Sequence, residues 1–197
     1  VDTVVECFRR EALPRLADPG RFLIEAFERA HANILNHANA CQIAAHAAPR
    51  TTCIACVVQD GQACWAHAGD SRLYLVRGDK LIARTRDHSY SELQETLSQV
   101  VPIGERFNRN VLFTCLGSPG KPVVDTAGPL LLQGGDRLLL CSDGLWGSVT
   151  DAQIVEQISL RPISDAVPEL VELALRHAGA KSDNVTVLAV EWEGAEP

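Results

Sequence analysis

The apolar residues in the first fifty positions recur with helical spacing. Val4 and Phe8 fit one face of a helix that Pro14 would end. Apolar residues recur with the same spacing between positions 22 and 35, and Glu and Arg occupy the opposite face. This pattern predicts two N-terminal helices, followed by a frayed helix end and a loop over residues 36–50.

From Thr51 the pattern changes to that of β-strands. Segments 52–59 and 62–68 flank Asp60-Gly61, which is a strong signal for a two-residue hairpin turn. Segments 72–76 and 80–84 flank Arg77-Gly78-Asp79 in a similar way. The sequence therefore predicts two consecutive β-hairpins.

Helical and strand-like segments follow in the second half. Capping boxes at Ser89 and Thr150 predict helices to about Gln99 and Ser159. We expect a further helix at 165–177, a loop at 102–110, and strands at 111–115, 123–127, 130–132, 137–142 and 185–192. This order predicts an α+β fold in which antiparallel sheets pack face to face with helices outside.

Composition narrows the class of protein. The 197 residues are enough for one domain, which we predict to span residues 1–197. The net charge of −7, without a cluster of Lys and Arg, argues against nucleic-acid binding. No apolar run approaches the roughly 18 residues of a membrane span, and no signal peptide opens the chain. We expect a cytoplasmic protein with no membrane partner.

The cysteines and histidines do not predict a zinc or redox site. Seven cysteines lie mostly in apolar segments, which is typical of reduced, buried thiols. Cys53 and Cys56 belong to a β pattern, in which positions three apart point to opposite faces. His67 on a strand and His88 before a helix are expected to be core or surface residues, since the six histidines show no metal-ligand spacing.

Three aspartates stand where apolar strands begin or end. Asp143 follows the apolar run 138–141, and Asp183 precedes the run 185–190. Asp70 follows Gly69 between two predicted strands. Carboxylates at strand ends are suitable ligands for hard divalent cations. Each aspartate could instead simply form a turn. Asp70 could also pair with Arg72 at a hairpin corner.

The three motifs, taken in order, resemble a known family. The three motifs are Gly69-Asp70-Ser71-Arg72, Ser142-Asp143-Gly144 and Ser182-Asp183-Asn184. Two further matches support them, namely Arg50-Thr51-Thr52 and Arg86-Asp87-His88-Ser89. They are similar to motifs of the metal-dependent protein serine/threonine phosphatases of the PP2C (PPM) family, bacterial branch. The resemblance covers essentially residues 3–191. It implies an α-β-β-α sandwich of two antiparallel sheets flanked by helices, with a two-metal centre at one end.

The resemblance also implies the chemistry. Asp143 and Asp183 would bind the two ions, Mn²⁺ or Mg²⁺, and Asp70 would help to hold a third, weaker one. A water activated by two metals would hydrolyse phosphoserine and phosphothreonine, with no catalytic residue beyond the metal ligands. The implied partners are phosphoproteins, namely a cognate Ser/Thr kinase and its substrates.

One part of the family pattern has no counterpart in this sequence. The family begins with an acidic strand motif, an Asp-Gly-Met-Gly-Gly-like turn that supplies further metal ligands, and an Arg that binds phosphate. We therefore expect an N-terminally incomplete domain with weak metal binding and little activity. Two alternatives stay open: a catalytically inactive relative that binds a phosphoprotein or another partner in a regulatory role, and a phosphohydrolase that acts on small phosphate esters.

Overall fold

The structure, a computed structural model, describes residues 1–98 and 111–194. Contacts between residues group the chain into two units. The first unit comprises residues 1–70 and 87–130, and the second comprises residues 71–86 and the chain from 131 onward. Each unit has its own sheet and its own buried core. That the chain forms a single domain stays a prediction.

Six helices and seven strands form within the described residues. The helices are α1 (Asp2–Glu11), α2 (Pro19–Ala40), α3 (Tyr90–Ser98), α4 (Asp143–Trp146), α5 (Asp151–Leu160) and α6 (Ile163–Ala178). The strands are β1 (Cys53–Gln59), β2 (Gln62–Ala68), β3 (Arg72–Arg77), β4 (Lys80–Arg84), β5 (Asp125–Leu131), β6 (Asp136–Cys141) and β7 (Val187–Trp192). None of these helices is both long enough and apolar enough to cross a lipid bilayer.

The first unit is built on a three-stranded antiparallel sheet in the order β1-β2-β5. β1 and β2 form the predicted hairpin, with Gln59 opposite Gln62. The turn residues Asp60 and Gly61 both have positive φ, as a two-residue hairpin turn requires. Helix α2 covers this sheet with an apolar face that includes the fully buried Phe27.

The second unit is built on a four-stranded antiparallel sheet in the order β4-β3-β6-β7. Cys141 lies opposite Arg72 on one side and opposite Val187 on the other, so β6 is a central strand. Helices α4, α5 and α6 contact this sheet and share its core. The two antiparallel sheets with their helices confirm the predicted α+β fold class.

Some predicted elements differ from those in the structure. The frayed helix end expected from residue 36 is regular helix as far as Ala40, where the buried Ala38 extends the apolar face of α2. The prediction of a strand at 111–115 was wrong, since the pairing of this segment is limited to an isolated bridge between Leu112 and Ser89. The predicted end of α3 near Gln99 and the loop at 102–110 lie outside the described residues.

The two short strands predicted around Gly128-Pro129 form one strand, β5. The sequence pattern predicts two strands here, and proline cannot donate a hydrogen bond to a neighbouring strand. β5 lies at the edge of its sheet, where a residue without an N–H is tolerated. β5 can therefore continue through Gly128-Pro129 because it is an edge strand, which the local sequence pattern does not reveal.

Candidate metal centre

Asp143 lies where β6 ends and is the first residue of the short helix α4. Its carbonyl accepts a hydrogen bond from the Gly147 N–H at 2.8 Å, which closes the single turn. Leu145, in the middle of this turn, is fully buried in the core of the second unit. The buried Leu145 therefore holds the helix against the core, and the half-buried Asp143 lies at the end of the sheet.

Asp183 lies in the exposed loop that leads into β7. Its Oδ1 accepts a hydrogen bond from the backbone N–H of Asn184 at 2.7 Å. This local bond orients the aspartate side chain relative to its own backbone.

The hydroxyl group of Ser142 joins the segments that carry these two aspartates. Its Oγ accepts a hydrogen bond from the Thr186 N–H at 3.0 Å and donates one to the Asn184 carbonyl at 3.2 Å. The Ser142 N–H also donates to the Thr186 carbonyl at 3.1 Å. The structure thus brings the segments of Asp143 and Asp183 together at one end of the β6-β7 pair, and that the two aspartates share a metal site stays a prediction.

Asp70 belongs to the first unit and lies two residues after the end of β2, next to Gly69. Its side chain is buried, with 8% of the residue exposed. Gly69 before it has a φ of +106°, and a Cβ at Gly69 would lie 2.4 Å from Cγ2 of Thr52. Both the backbone conformation and the lack of space therefore require glycine immediately before Asp70.

A charged network that the sequence analysis missed lies behind α4 in the second unit. The Arg72 guanidinium is 3.7 Å from the centre of the Trp146 ring, and it is paired with Asp151 at 3.4 Å. Asp151 also accepts a hydrogen bond from the Tyr74 hydroxyl at 2.8 Å and is paired with Arg84 at 3.2 Å. Burial raises the pKa of the Tyr74 phenol, so this hydroxyl remains a donor. The network packs Trp146 at the end of α4 against β3.

The donor atoms of Asp143 and Asp183 are of the right chemical type for Mn²⁺ or Mg²⁺. These ions prefer oxygen ligands, with roughly six ligands each in near-octahedral geometry. Two carboxylates can supply only part of the shells of two ions, and water would supply another part. A metal role for these two aspartates stays a prediction, and a two-metal centre that contained them would need further ligands.

Comparison with known sequences supports a phosphatase family. The family described as "Protein phosphatase 2C" matches residues 7–97. The serine/threonine phosphatase stp of Listeria innocua is 37% identical over 145 residues, which cover 72% of this chain and 56% of that protein. The protein phosphatase PhpP of Streptococcus pneumoniae is 30% identical over 149 residues, which cover 74% of this chain and 60% of PhpP. The chain thus spans less than two thirds of each relative.

A solved structure of the same kind also matches the fold. The catalytic domain of the serine/threonine protein phosphatase PstP, solved in complex with two manganese ions, superposes with a TM-score of 0.76 at 25% sequence identity. The match covers 96% of this chain and 79% of the PstP chain. Together with the sequence matches, this result confirms the predicted family: the chain belongs to the protein phosphatase 2C family.

Proposed function

We propose that the chain is a domain of a metal-dependent phosphatase that hydrolyses phosphoserine and phosphothreonine on proteins. The relatives named above are phosphatases, and two of them are named as serine/threonine phosphatases. The observation that carries the proposal is the set of hydrogen bonds from Ser142 to Asn184 and Thr186, which holds two aspartate-bearing segments side by side. A turn-forming role for each aspartate would not require this link between segments about forty residues apart.

We assign Asp143 and Asp183 to a two-metal centre for Mn²⁺ or Mg²⁺, and Asp70 to a third, weaker site. The two manganese ions in the PstP structure support this choice of metal. When bound, such ions supply an activated water and positive charge that offsets the phosphoryl oxygens. The role of Asp143 and Asp183 would be to hold the ions at the end of the sheet, so no catalytic side chain beyond the metal ligands is proposed.

The remaining metal ligands are proposed to come from residues other than Asp143 and Asp183. This proposal rests on ligand number, because two carboxylates are too few for two near-octahedral ions. It predicts that Asp143 and Asp183 by themselves bind metal weakly.

The substrates and the location of the protein follow from the same proposal. A phosphatase for phosphoserine and phosphothreonine reverses the action of Ser/Thr kinases, so we propose a cognate kinase and its substrates as partners. Because such kinases act where ATP is available, we also propose that the protein is cytoplasmic.

The test is hydrolysis of a phosphothreonine peptide and of p-nitrophenyl phosphate in the presence of Mn²⁺. It would use the 197-residue chain and the product of the complete open reading frame, each with Asp143→Asn and Asp183→Asn. Each substitution is expected to lower turnover at least about 100-fold, since even residues behind metal ligands contribute 10–100-fold. Asp79→Asn, in an exposed hairpin turn of the same unit, is the matched control and should leave turnover unchanged.

The outcomes separate the three candidate functions. Peptide hydrolysis that depends on Asp143 supports the phosphoprotein phosphatase. Hydrolysis of the small ester without the peptide would instead indicate an enzyme for small phosphate esters. Peptide binding with equal and negligible turnover in the parent protein and Asp143→Asn, both folded, would indicate a binding protein without catalysis.

A further inference from the structure

His88 is a buried histidine for which the proposed metal chemistry has no role. It lies just before α3, and 3% of the residue is exposed. Its ring stacks on that of His67, with the ring centres 4.5 Å apart and an angle of 30° between the planes. Its Nε2 lies 3.2 Å from Oδ2 of Asp125, the first residue of β5. All three residues belong to the first unit.

Two hydrogen bonds connect His88 to Gly69, the residue before Asp70. The backbone N–H of His88 donates to the Gly69 carbonyl at 3.0 Å, and the Gly69 N–H donates to Nδ1 of the His88 ring at 3.2 Å. Both backbone polar groups of Gly69 are thus bound by one residue. Thr52 lies close against Gly69 as well, so the backbone that leads into Asp70 is held tightly.

The bond from Gly69 determines which ring nitrogen of His88 carries the proton. Nδ1 accepts a hydrogen bond, so it cannot carry a proton, and the neutral ring has its proton on Nε2. Nε2 is buried and has no well-aligned hydrogen-bond partner among the described residues, although Oδ2 of Asp125 is only 3.2 Å away. The carboxylate therefore favours the proton on Nε2 through its charge rather than through an aligned hydrogen bond.

The same three side chains have the composition of a transition-metal site. Ligand atoms of His67, His88 and Asp125 all lie within 4.8 Å of one another. A histidine that binds a metal through one nitrogen normally donates its other N–H to an acceptor, whereas Nδ1 of His88 is itself an acceptor. A cation on Nε2 would leave the ring without any proton, so this arrangement fits a proton on Nε2 better than a metal ion.

We propose that His88 is a positioning residue for Asp70, and that Asp125 selects the ring tautomer this role requires. With its proton on Nε2, the His88 ring holds the Gly69 peptide through Nδ1, and this peptide sets the direction in which Asp70 leaves β2. The consequence for metal binding rests on the proposed function, because it takes Asp70 as a ligand of the weaker ion.

Two substitutions separate the two nitrogens of the ring. In His88→Asn the side-chain Oδ1 occupies the place of Nδ1 and can still accept the Gly69 N–H. In His88→Gln the polar atoms lie near Nε2 instead, and the Gly69 N–H loses its acceptor. Hydrogen exchange of the Gly69 amide should accelerate about tenfold in His88→Gln, the equivalent of one net hydrogen bond, and should stay near the parent rate in His88→Asn.

A measurement on the unsubstituted chain keeps the test independent of folding defects. Nitrogen NMR of the histidine rings is expected to show His88 with a protonated Nε2 and an unprotonated Nδ1. A protonated Nδ1 would overturn the proposal, as would equal Gly69 exchange rates in the parent chain and in both substituted chains.

Mn²⁺ titration then tests the consequence for Asp70. His88→Gln should weaken by about tenfold the binding event that Asp70→Asn also removes, and should have no further effect in the Asp70→Asn background. His88→Asn should bind nearly as the parent does. Unchanged Mn²⁺ binding in His88→Gln would overturn the positioning role, whereas binding that is insensitive to Asp143→Asn would count against the proposed metal centre itself.

Discussion

The backbone carbonyl of Asn184 lies so close to Gly144 that a Cβ at Gly144 would be 2.3 Å from the carbonyl oxygen. The same Cβ would lie 2.9 Å from the carbonyl carbon. Gly144 is not among the glycines with positive φ, so the requirement at this position is space rather than backbone conformation. The Asp143-Gly144 pair can adjoin the Asp183-Asn184 pair only because residue 144 has no side chain.

Gly144→Ala should therefore separate the two aspartate segments. The backbone at Asn184 cannot move without disturbing the bonds to Ser142, so we expect a loss of about 1–3 kcal/mol in the free energy of unfolding, measured in urea. Gly20→Ala in α2 is the control, because the nearest atom to its Cβ is 3.5 Å away, and it should be neutral or slightly stabilising. Equal effects at both glycines would contradict this account.

Ser142→Ala tests the link made by the hydroxyl group. It removes the acceptor of the Thr186 N–H and the donor to the Asn184 carbonyl, at a partly exposed position where water can replace both. We expect a loss of about 1 kcal/mol in stability but about a tenfold loss in Mn²⁺ affinity, measured by calorimetry. Ser164→Ala, whose hydroxyl bonds the adjacent Asp165, is the control. An unchanged Mn²⁺ affinity in Ser142→Ala would refute the link.

The local sequence predicted the elements whose signals are local. The first hairpin has the predicted bounds at its turn, because Asp60-Gly61 can adopt the positive φ values that the turn needs. Helix α5 begins as predicted because Thr150 accepts the Gln153 N–H and completes the capping box. Helix α4 was not predicted, since Asp143-Gly144 is typical of a turn, and the helix is a single turn whose Leu145 is fully buried.

The sequence proposes which residues belong to the candidate site but does not predict how they are arranged. Asp70, Asp143 and Asp183 could be selected because each stands at a strand end within a family motif. The link from Ser142 to Thr186 joins positions 44 apart and depends on the pairing of β6 with β7. Likewise, the partners of Arg72 on α4 and α5 depend on how these helices pack on the sheet. Such contacts follow from the register of strands and the packing of helices, which no local pattern determines.

The ion pair between the half-buried Arg77 and the fully buried Asp136 should make the protein sensitive to acid. Burial alone would raise the pKa of the fully buried Asp136, but two 2.7 Å bonds from Arg77 and one from the Gln133 N–H outweigh it and lower the pKa. Because the folded-state pKa is lowered, this stabilisation is present above about pH 4, the ordinary range for an aspartate, and is lost as the pH falls below it.

Arg77→Gln is expected to reduce stability by about 3–5 kcal/mol at pH 7, because it leaves the buried carboxylate of Asp136 without its cation. The matched control is Arg15→Gln, whose partner Asp60 is at the same 2.7 Å distance but in an exposed pair, and it should lose less than about 1 kcal/mol. Urea unfolding at pH 7 and pH 3 would measure both. If Arg77→Gln lost as little stability as Arg15→Gln, the burial of Asp136 would not determine the size of the loss.

The buried thiol of Cys56 should destabilise the folded protein at high pH. Burial, together with the nearby Cys64 thiol, raises the pKa of Cys56 from 9.0 to about 12. The unfolded chain therefore loses this proton at a lower pH than the folded protein does, and stability that is constant below pH 9 should fall as the pH rises from 9 to 12. Cys56→Ala should reduce the slope of unfolding free energy against pH in this window, whatever its effect at pH 7. Cys41→Ala, at an exposed cysteine, should leave the slope as it is, and equal slopes in both variants would show that Cys56 does not cause the alkaline loss.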